Sequence, residues 1–489
     1  MSFKLTVTSD LPSPPVRLTT LGMIPERFRQ YCALQIHAGP GDAFFGMRAC
    51  LSWQETKRQE VEEAIVNLWG GANHSIPLLS VRSGLHLLLQ TLSLPRGSEV
   101  LISALNIPDI PAILELHGLV CIPVDLSINT LHVDMQQLRS AVTSRSRMIF
   151  IAHVYGARND MTEIVRIARE HGLFLVEDCA EALDSSQYQG HPDVDVSLFS
   201  FGPIKYATAF QGAIMKVKEE ELCRRLRKQH ARWSGQRTVS YFFRCLKFFI
   251  LTCLQRPFPL WLIIFILRLL GVDHQRLFVG LVRSFGRHVS PHHLLRKVAR
   301  RPCLALLRSM LVRMERHLNG GNQDNRTCGM KMVKLLQPLV GSNILLPGLD
   351  ASSHSFWIFP ILVKNPRSLV TKLQADGIDA STGSTQITLV KRTRRRRTKG
   401  EEEEARSRRR GEEEVEKGAR RREGGEEEEE EEEEEERLPC VKWMMEHIIF
   451  LPVSRYESHE RLKRIASRVM EHVRPEAMAT MSDLRPWRR

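Results

Sequence analysis

No C-x-x-C pair occurs among the ten cysteines of this 489-residue chain. Their scatter, for example Cys32, Cys50, Cys121, Cys179 and Cys303, fits neither a zinc site nor a disulfide framework. That usage points to a reducing, cytoplasmic compartment. The N-terminus, MSFKLTVTSDLPSPPVRL, lacks the continuous apolar core of a secretory signal. Also missing is an unbroken apolar run of the roughly 20 residues that a membrane-spanning helix needs. The nearest approach, Tyr241 to Val272, is interrupted by Arg256, Pro257 and Pro259 and carries Arg268. Base-stacking aromatics do not accompany the basic residues, which are interleaved with aliphatic runs, so nucleic acid is not the expected partner.

The chain does have 43% apolar residues, enough for a real core, and a formal net charge of +14. Such a charge suits an anionic surface or an anionic substrate. The length allows two or three domains. Residues 1–52 read as irregular, with SDLPSPP and GPGD as turn signals. Residues 53–222 read as a large α/β domain. WQETKRQEVEEAIVNLW, from Trp53 to Trp69, has helical apolar spacing. After it, SEVLISAL, LVCIPVDL, SRMIFIAHVYG and LFLVEDCA are strand-length apolar runs, alternating with the helical stretches DIPAILELHG and DMTEIVRIAREHG. Continuous apolar strands alternating with helices imply a mostly parallel sheet covered on both faces. Ligands in such folds sit beyond the carboxyl ends of the strands.

Residues 223–316 read as a basic and hydrophobic helical insertion. It is expected either to lie on an anionic lipid surface or to pack as a buried hairpin at a dimer interface. Residues 317–489 read as a smaller α/β domain, built on the strands SSHSFWIFPILVK and EHIIFLPV and the helices RSLVTKLQADGI and SHERLKRIASRVMEHV, the last with Ser458 as its N-cap. The insert 391–437 interrupts this domain with 16 Lys+Arg and 20 Glu, including a continuous run from Glu426 to Glu436. It cannot bury enough apolar surface to fold and is expected to be disordered.

Three stretches carry chemistry. In SVRSGLHLLLQTL, Ser83, Gly84 and Leu85 would open a helix after a strand, and helix N-termini attract phosphate. In LFLVEDCAEAL, Asp178 follows an apolar strand, where a carboxylate needs a cationic partner. In FSFGPIK, Ser200 stands five residues before Lys205, the one cation of the stretch from Asp195 to Met215. A phosphate site, a carboxylate for a pyridinium and a lysine for a carbonyl are what pyridoxal phosphate requires.

These stretches, with GLVCIPVDLSINTLHVD and IFIAHVYGARNDMTEIVRIAREHGLFLVEDCAEAL, resemble the DegT/DnrJ/StrS-type sugar aminotransferases. The likeness runs from about Trp53 to Lys218 and resumes from about Asn319. It implies the pyridoxal-phosphate transferase fold of type I: a large domain with a mostly parallel sheet and a smaller C-terminal α/β domain. It also implies roles. Lys205 matches the lysine that bonds the cofactor and later moves a proton, Asp178 the aspartate on the pyridine nitrogen, and Ser200 the phosphate-binding serine. Gly84 and Leu85 match the phosphate-binding turn, where the family usually has Gly-Thr or Gly-Ser. Glu181 stands where Gln or His is usual beside the ring, and Ile107 where an aromatic often covers it. The resemblance implies transfer of an amino group from a donor such as glutamate to a nucleotide-linked keto-sugar, by a homodimer whose partner-facing region includes residues 223–316. The alternative is a binding or scaffold protein on a decayed aminotransferase fold, membrane-associated through 241–272.

Overall fold

Apolar runs of strand length become strands, and the amphipathic stretches between them become the helices that cover them. The computed structural model describes residues 36–51, 57–71, 73–184, 188–254, 257–270, 291–320, 325–383, 386–392 and 437–473. Its main sheet has seven strands: β1 (Ser75–Leu78), β2 (Glu99–Ser103), β4 (Val120–Val124), β5 (Ser146–Ala152), β7 (Phe174–Asp178), β8 (Val196–Ser200) and β9 (Ala213–Val217). The short strands β3 (Leu105–Asn106) and β6 (Ala157–Arg158) lie outside it. The order across the sheet is β1-β9-β8-β7-β5-β2-β4. β8, β7, β5, β2 and β4 are mutually parallel. β9 is antiparallel to both β8 and β1, so β1 runs in the same sense as β8. The carboxyl ends of β1, β2, β5, β7 and β8 therefore share one edge.

Successive residues of a strand point to opposite faces. Val100 and Ile102 join one core with Leu85 and Leu88 of α3 (Val81–Leu92), Ile113 of α4 (Asp109–Leu116) and Leu226 of α7 (Glu220–Ala231). Leu101 joins the other core with Leu138 of α5 (Met135–Ser140), Ile164 and Ile167 of α6 (Thr162–Glu170), and residues of the C-terminal region. Both faces of the sheet are covered, as its apolar strands require.

The C-terminal region has its own antiparallel sheet, β12 (Ile344–Leu345), β14 (Phe359–Val363) and β16 (Ile448–Leu451) in the order β12-β14-β16. Its core is shared with α12 (Arg326–Leu336), α13 (Pro366–Ala375) and α15 (His459–Val473). Ser458 Oγ accepts the Arg461 amide at 3.2 Å, the expected cap of α15. This region is also tied to the large sheet. β15 (Thr388–Leu389) pairs with β3, and the Asp125 carboxylate accepts the Cys440 and Val441 amides of α14 (Pro439–His447) at 2.8 and 2.9 Å.

Four expectations change. Residues 1–52 are not irregular throughout, because Pro40–Cys50 forms a helix, α1. Pro40 takes the first helical position, and Asp42 Oδ2 accepts the Gly39 amide at 2.9 Å, so GPGD is a helix start rather than a turn. The helix read from Trp53 to Trp69 is α2, Arg58–Leu68, with residues 52–56 outside the described residues. SSHSFWIFPILVK is two strands, β13 (Ser353–His354) and β14, separated where Phe356 adopts a φ of +50°. The insertion is narrower than 223–316. Residues 236–299 leave and return between β10 (Ser234–Gly235) and β11 (Arg300–Arg301), which pair in parallel. The excursion holds α8 (Thr238–Leu254), α9 (Pro257–Leu269) and α10 (Pro291–Val298). The next helix, α11 (Leu304–Leu318), is part of the main body, with Leu306, Leu307, Met310 and Met314 in the core beside Phe199 and Ile214. The low-complexity insert, apart from its ends, lies outside the described residues.

Candidate active site

Lys205 sits on the turn that reverses β8 into β9. Its amide donates to Gly202 O, and its carbonyl accepts the Thr208 amide, each at 3.1 Å. Its Nζ lies 3.5 Å from Glu181 Oε1, with 12% of each side chain exposed. The same Nζ stands 3.8 Å from the centre of the Trp357 ring. Burial lowers the Lys205 pKa, and the charges of Glu181 and Asp178 only partly oppose it.

Asp178 ends β7 and is buried, with Oδ1 accepting the Ala180 amide at 2.9 Å. Burial pushes its pKa up to about 6, against the pull of that amide and of the Lys205 charge. Burial likewise raises Glu181, opposed by Lys205 and by the Tyr155 amide, which donates to Oε2 at 3.0 Å. Two carboxyls and one amine thus share a poorly solvated space, and each is pushed toward its neutral form.

The turn in HVYG builds this cluster. Tyr155 and Gly156 take φ values of +59° and +91°. A Cβ on Gly156 would stand 2.7 Å from the Trp357 backbone nitrogen, so the residue must be glycine for that segment to pass. β13 pairs with β6 immediately beyond the turn, and Trp357 Nε1 donates to Ile204 O at 2.7 Å. The indole is thereby fixed against the lysine turn. Beneath Asp178, Glu177 accepts from His153 Nε2 at 2.8 Å, Tyr188 Oη at 2.6 Å, Ser197 Oγ at 2.9 Å and the His191 amide at 3.0 Å. Burial would raise its pKa, but these donors outweigh burial and hold it at about 2. His153, Glu177 and Cys179 are close enough to suggest metal ligands, but the Glu177 oxygens are already engaged by these donors.

The other expected residues occupy the same sheet edge but differ in what they offer. Ser200 ends β8, and its Oγ accepts the Gly202 amide at 3.2 Å, leaving its own proton to donate. α3 begins at Val81 rather than at Ser83, with Ser80 as cap: Ser80 Oγ accepts the Ser83 amide at 3.1 Å and lies 2.9 Å from Ser83 Oγ. The Gly84 amide already donates to Ser80 O at 3.0 Å. Gly84 serves packing, since a Cβ there would come 2.8 Å from Leu198 Cδ2 and 3.0 Å from Leu78 Cδ1. The Leu85 side chain is fully buried in the core on the α3 face of the sheet. Ile107, half-buried, follows β3 and borders both cores of the main sheet.

Sequence reasoning missed three neighbours. Trp357 lay inside an apolar strand-like run, and nothing local marked it. Arg82, in the first turn of α3, pairs with Asp109 and is near enough for its charge to lower the Lys205 pKa. Asn106, just before Ile107, gives its Oδ1 to the Ile107 amide at 2.8 Å while its Nδ2 is buried without a partner. The Tyr-Gly pair before a strand-end carboxylate was the one signal that could have drawn attention to the turn.

The model of the DegT/DnrJ/EryC1/StrS aminotransferase family matches residues 51–242. A UDP-4-amino-4-deoxy-L-arabinose–oxoglutarate aminotransferase of Shewanella sediminis (strain HAW-EB3) is 30% identical over 174 residues, 35% of this chain. That match spans 44% of the relative's length. Among solved structures, the aminotransferase TlmJ from Streptoalloteichus hindustanus superposes with a TM-score of 0.58 at 15% identity, covering 91% of this chain and 99% of its own. NtdA from Bacillus subtilis, solved with bound cofactor PMP, gives 0.56 at 15% identity, covering 90% of this chain and 83% of its own. The fold is that of these aminotransferases.

Proposed function

We propose that this chain, whose residues 51–242 carry the DegT/DnrJ/EryC1/StrS aminotransferase sequence, is a pyridoxal-phosphate-dependent aminotransferase. It moves an amino group from an amino acid such as glutamate to a keto-sugar carried on a nucleotide. The observation that carries this reading is the buried amine of Lys205 held among Asp178, Glu181 and Trp357. The residues fit the cofactor. Among the described residues, Asp178 is a buried carboxyl with no ion pair, as a pyridinium partner requires, and Asn106 Nδ2 is a buried donor with no acceptor. Ser200 and Ser83, with the N-terminus of α3, would hold the phosphate. Ile107 would cover the ring apolarly and Glu181 would stand beside it, while Gly84 and Leu85 belong to the phosphate-binding turn, as the resemblance implies.

Pyridoxal phosphate, when bound, supplies an electrophilic carbon and a ring that accepts carbanion electrons. Lys205 contributes an amine that burial keeps nearer its neutral, nucleophilic form. With the cofactor and an amino donor bound, the Lys205 amine would serve as the base that takes the proton from the donor's alpha carbon. Asp178 would hold the ring-nitrogen proton. Glu181 limits how far the Lys205 pKa can fall, because its carboxylate favours the ammonium. The basic surplus suits a diphosphate-bearing substrate. By the family resemblance the active form is a homodimer.

Single-turnover mixing with glutamate tests the donor half. The cofactor's visible band should bleach on glutamate addition and return when a nucleotide-linked keto-sugar follows. A loaded protein whose spectrum ignores glutamate and other amino acids would favour the scaffold reading instead.

A further inference from the structure

Asn106 has a side-chain donor that the folded chain does not use. Its Oδ1 accepts the Ile107 amide at 2.8 Å. A backbone amide can only donate, so this bond settles which end of the carboxamide is oxygen and turns Nδ2 the other way. The residue is 4% exposed, and Nδ2 has no acceptor among the described residues. Its backbone is held as well: Asn106 pairs with Thr388 where β3 meets β15, and Thr388 Oγ1 donates to Asn106 O at 3.5 Å. A buried N–H without an acceptor costs stability, and such a group calls for a water or a ligand to complete it.

The place of Asn106 selects the ligand. β2 ends at Ser103, whose Oγ accepts the Ala152 amide at 3.0 Å, and Ala152 pairs with Asp178 where β5 meets β7. Beyond Ile107, Asp109 opens α4 and pairs with Arg82 in the first turn of α3. The segment from Asn106 to Asp109 therefore runs between the strand beside Asp178 and the helix turn assigned to the phosphate. Ile107, within it, is assigned to the ring face. Pyridoxal phosphate has three polar ends, and the cofactor reading, on which this role rests, provides for two of them. The ring nitrogen has Asp178, and the phosphate has Ser83, Ser200 and α3. The ring oxygen has no donor. Glu181, beside the ring, is a carboxyl whose Oε2 takes the Tyr155 amide and whose Oε1 faces Lys205. Its charge would repel a ring oxyanion.

We propose that Asn106 Nδ2 donates a hydrogen bond to the ring oxygen of bound pyridoxal phosphate, the donor that a carboxylate at position 181 cannot supply. Asn106 is then a cofactor-binding residue. It stabilises negative charge on that oxygen and helps to set the orientation of the ring against Ile107.

Asn106→Asp keeps an oxygen for the Ile107 amide, removes the donor and sets a negative charge in its place. Titration of the full chain with pyridoxal phosphate, followed by the visible band, should give an apparent Kd about tenfold or more above wild type, the range of a lost hydrogen bond to a charged group. The pH midpoint of the band should also move upward, because a negative charge beside the ring oxygen makes loss of the neighbouring proton harder. Asn106→Ala adds no charge and should weaken binding with a smaller upward shift. It replaces the first variant if the buried aspartate prevents folding, which melting of the apo-proteins checks. Competition by inorganic phosphate, which has no ring oxygen, should give the same inhibition constant in wild type and Asn106→Ala. An unchanged Kd and pH midpoint in folded variants would overturn the proposal and leave Nδ2 to an internal water. A parallel loss of phosphate affinity would overturn it by moving Asn106 to the phosphate. A wild type without any band would overturn both this role and the cofactor reading, whereas a wild-type band with unchanged variants overturns the role alone.

Discussion

Glu181 and Lys205 form a 3.5 Å pair in a site that disfavours both charges. Their coupling gives a signed expectation. The carboxylate raises the lysine pKa, so Glu181→Gln should lower it further and leave more neutral amine near pH 7. The visible band should then form faster on adding pyridoxal phosphate to the apo-protein, and its rate should rise at a lower pH than in the wild type. A slower, unshifted profile would mean that Glu181 does not act on the lysine charge. Asp178 gives a second expectation. Its folded pKa, near 6, is raised above that of a free carboxyl. The stability linked to its protonated form is therefore present below about pH 4 and lost as pH rises through about 6. Asp178→Asn should flatten the fall in apo-protein melting temperature across that window. In the loaded enzyme the same variant should slow the glutamate half-reaction by roughly 10²–10³, the scale of one lost preorganised electrostatic partner. A half-reaction within threefold of wild type, in a loaded variant, would remove Asp178 from the ring nitrogen.

At the scale of elements, the site depends on how a few turns allow backbones to approach. Gly156→Ala puts a methyl 2.7 Å from the Trp357 nitrogen at a φ of +91°. Left-handed strain and a clash with backbone should together cost more than about 2 kcal/mol, read as a lower urea midpoint. A variant as stable as wild type would show that the Trp357 segment has room to move. The same elements explain what sequence could and could not disclose. The strand ends bearing Asp178 and Ser200 were legible because continuous apolar runs against helical periodicity fix where a strand stops. Trp357 was not, because its place against Lys205 follows from the Gly156 crossing and the pairing of β13 with β6, which have no local signature. The start of α3 was misplaced because Ser80 and Ser83 both look like caps, and only the hydrogen bond from the Ser83 amide to Ser80 Oγ distinguishes them. α1 was missed because Gly-Pro-Gly-Asp satisfies the rules for a turn as well as those for a helix start.

At the scale of the whole molecule, alternating pattern sufficed to define the doubly covered sheet and the smaller C-terminal sheet. The ties between them were not visible. β15 on β3 and the Asp125 bonds to α14 join segments far apart in the sequence through backbone amides. The hydrophobic segment 241–272 was recognisable from composition alone, but the opposed buried and exposed faces of α8 required its packing against α1 and the lysine turn. The central claim is that all of this architecture presents Lys205 to a carbonyl cofactor. The most direct test incubates purified wild type and Lys205→Ala with pyridoxal phosphate, removes unbound cofactor by gel filtration and records the visible spectrum. The account predicts a retained band in the wild type that is absent from Lys205→Ala. A colourless wild type, or an equal band in the variant, would contradict it.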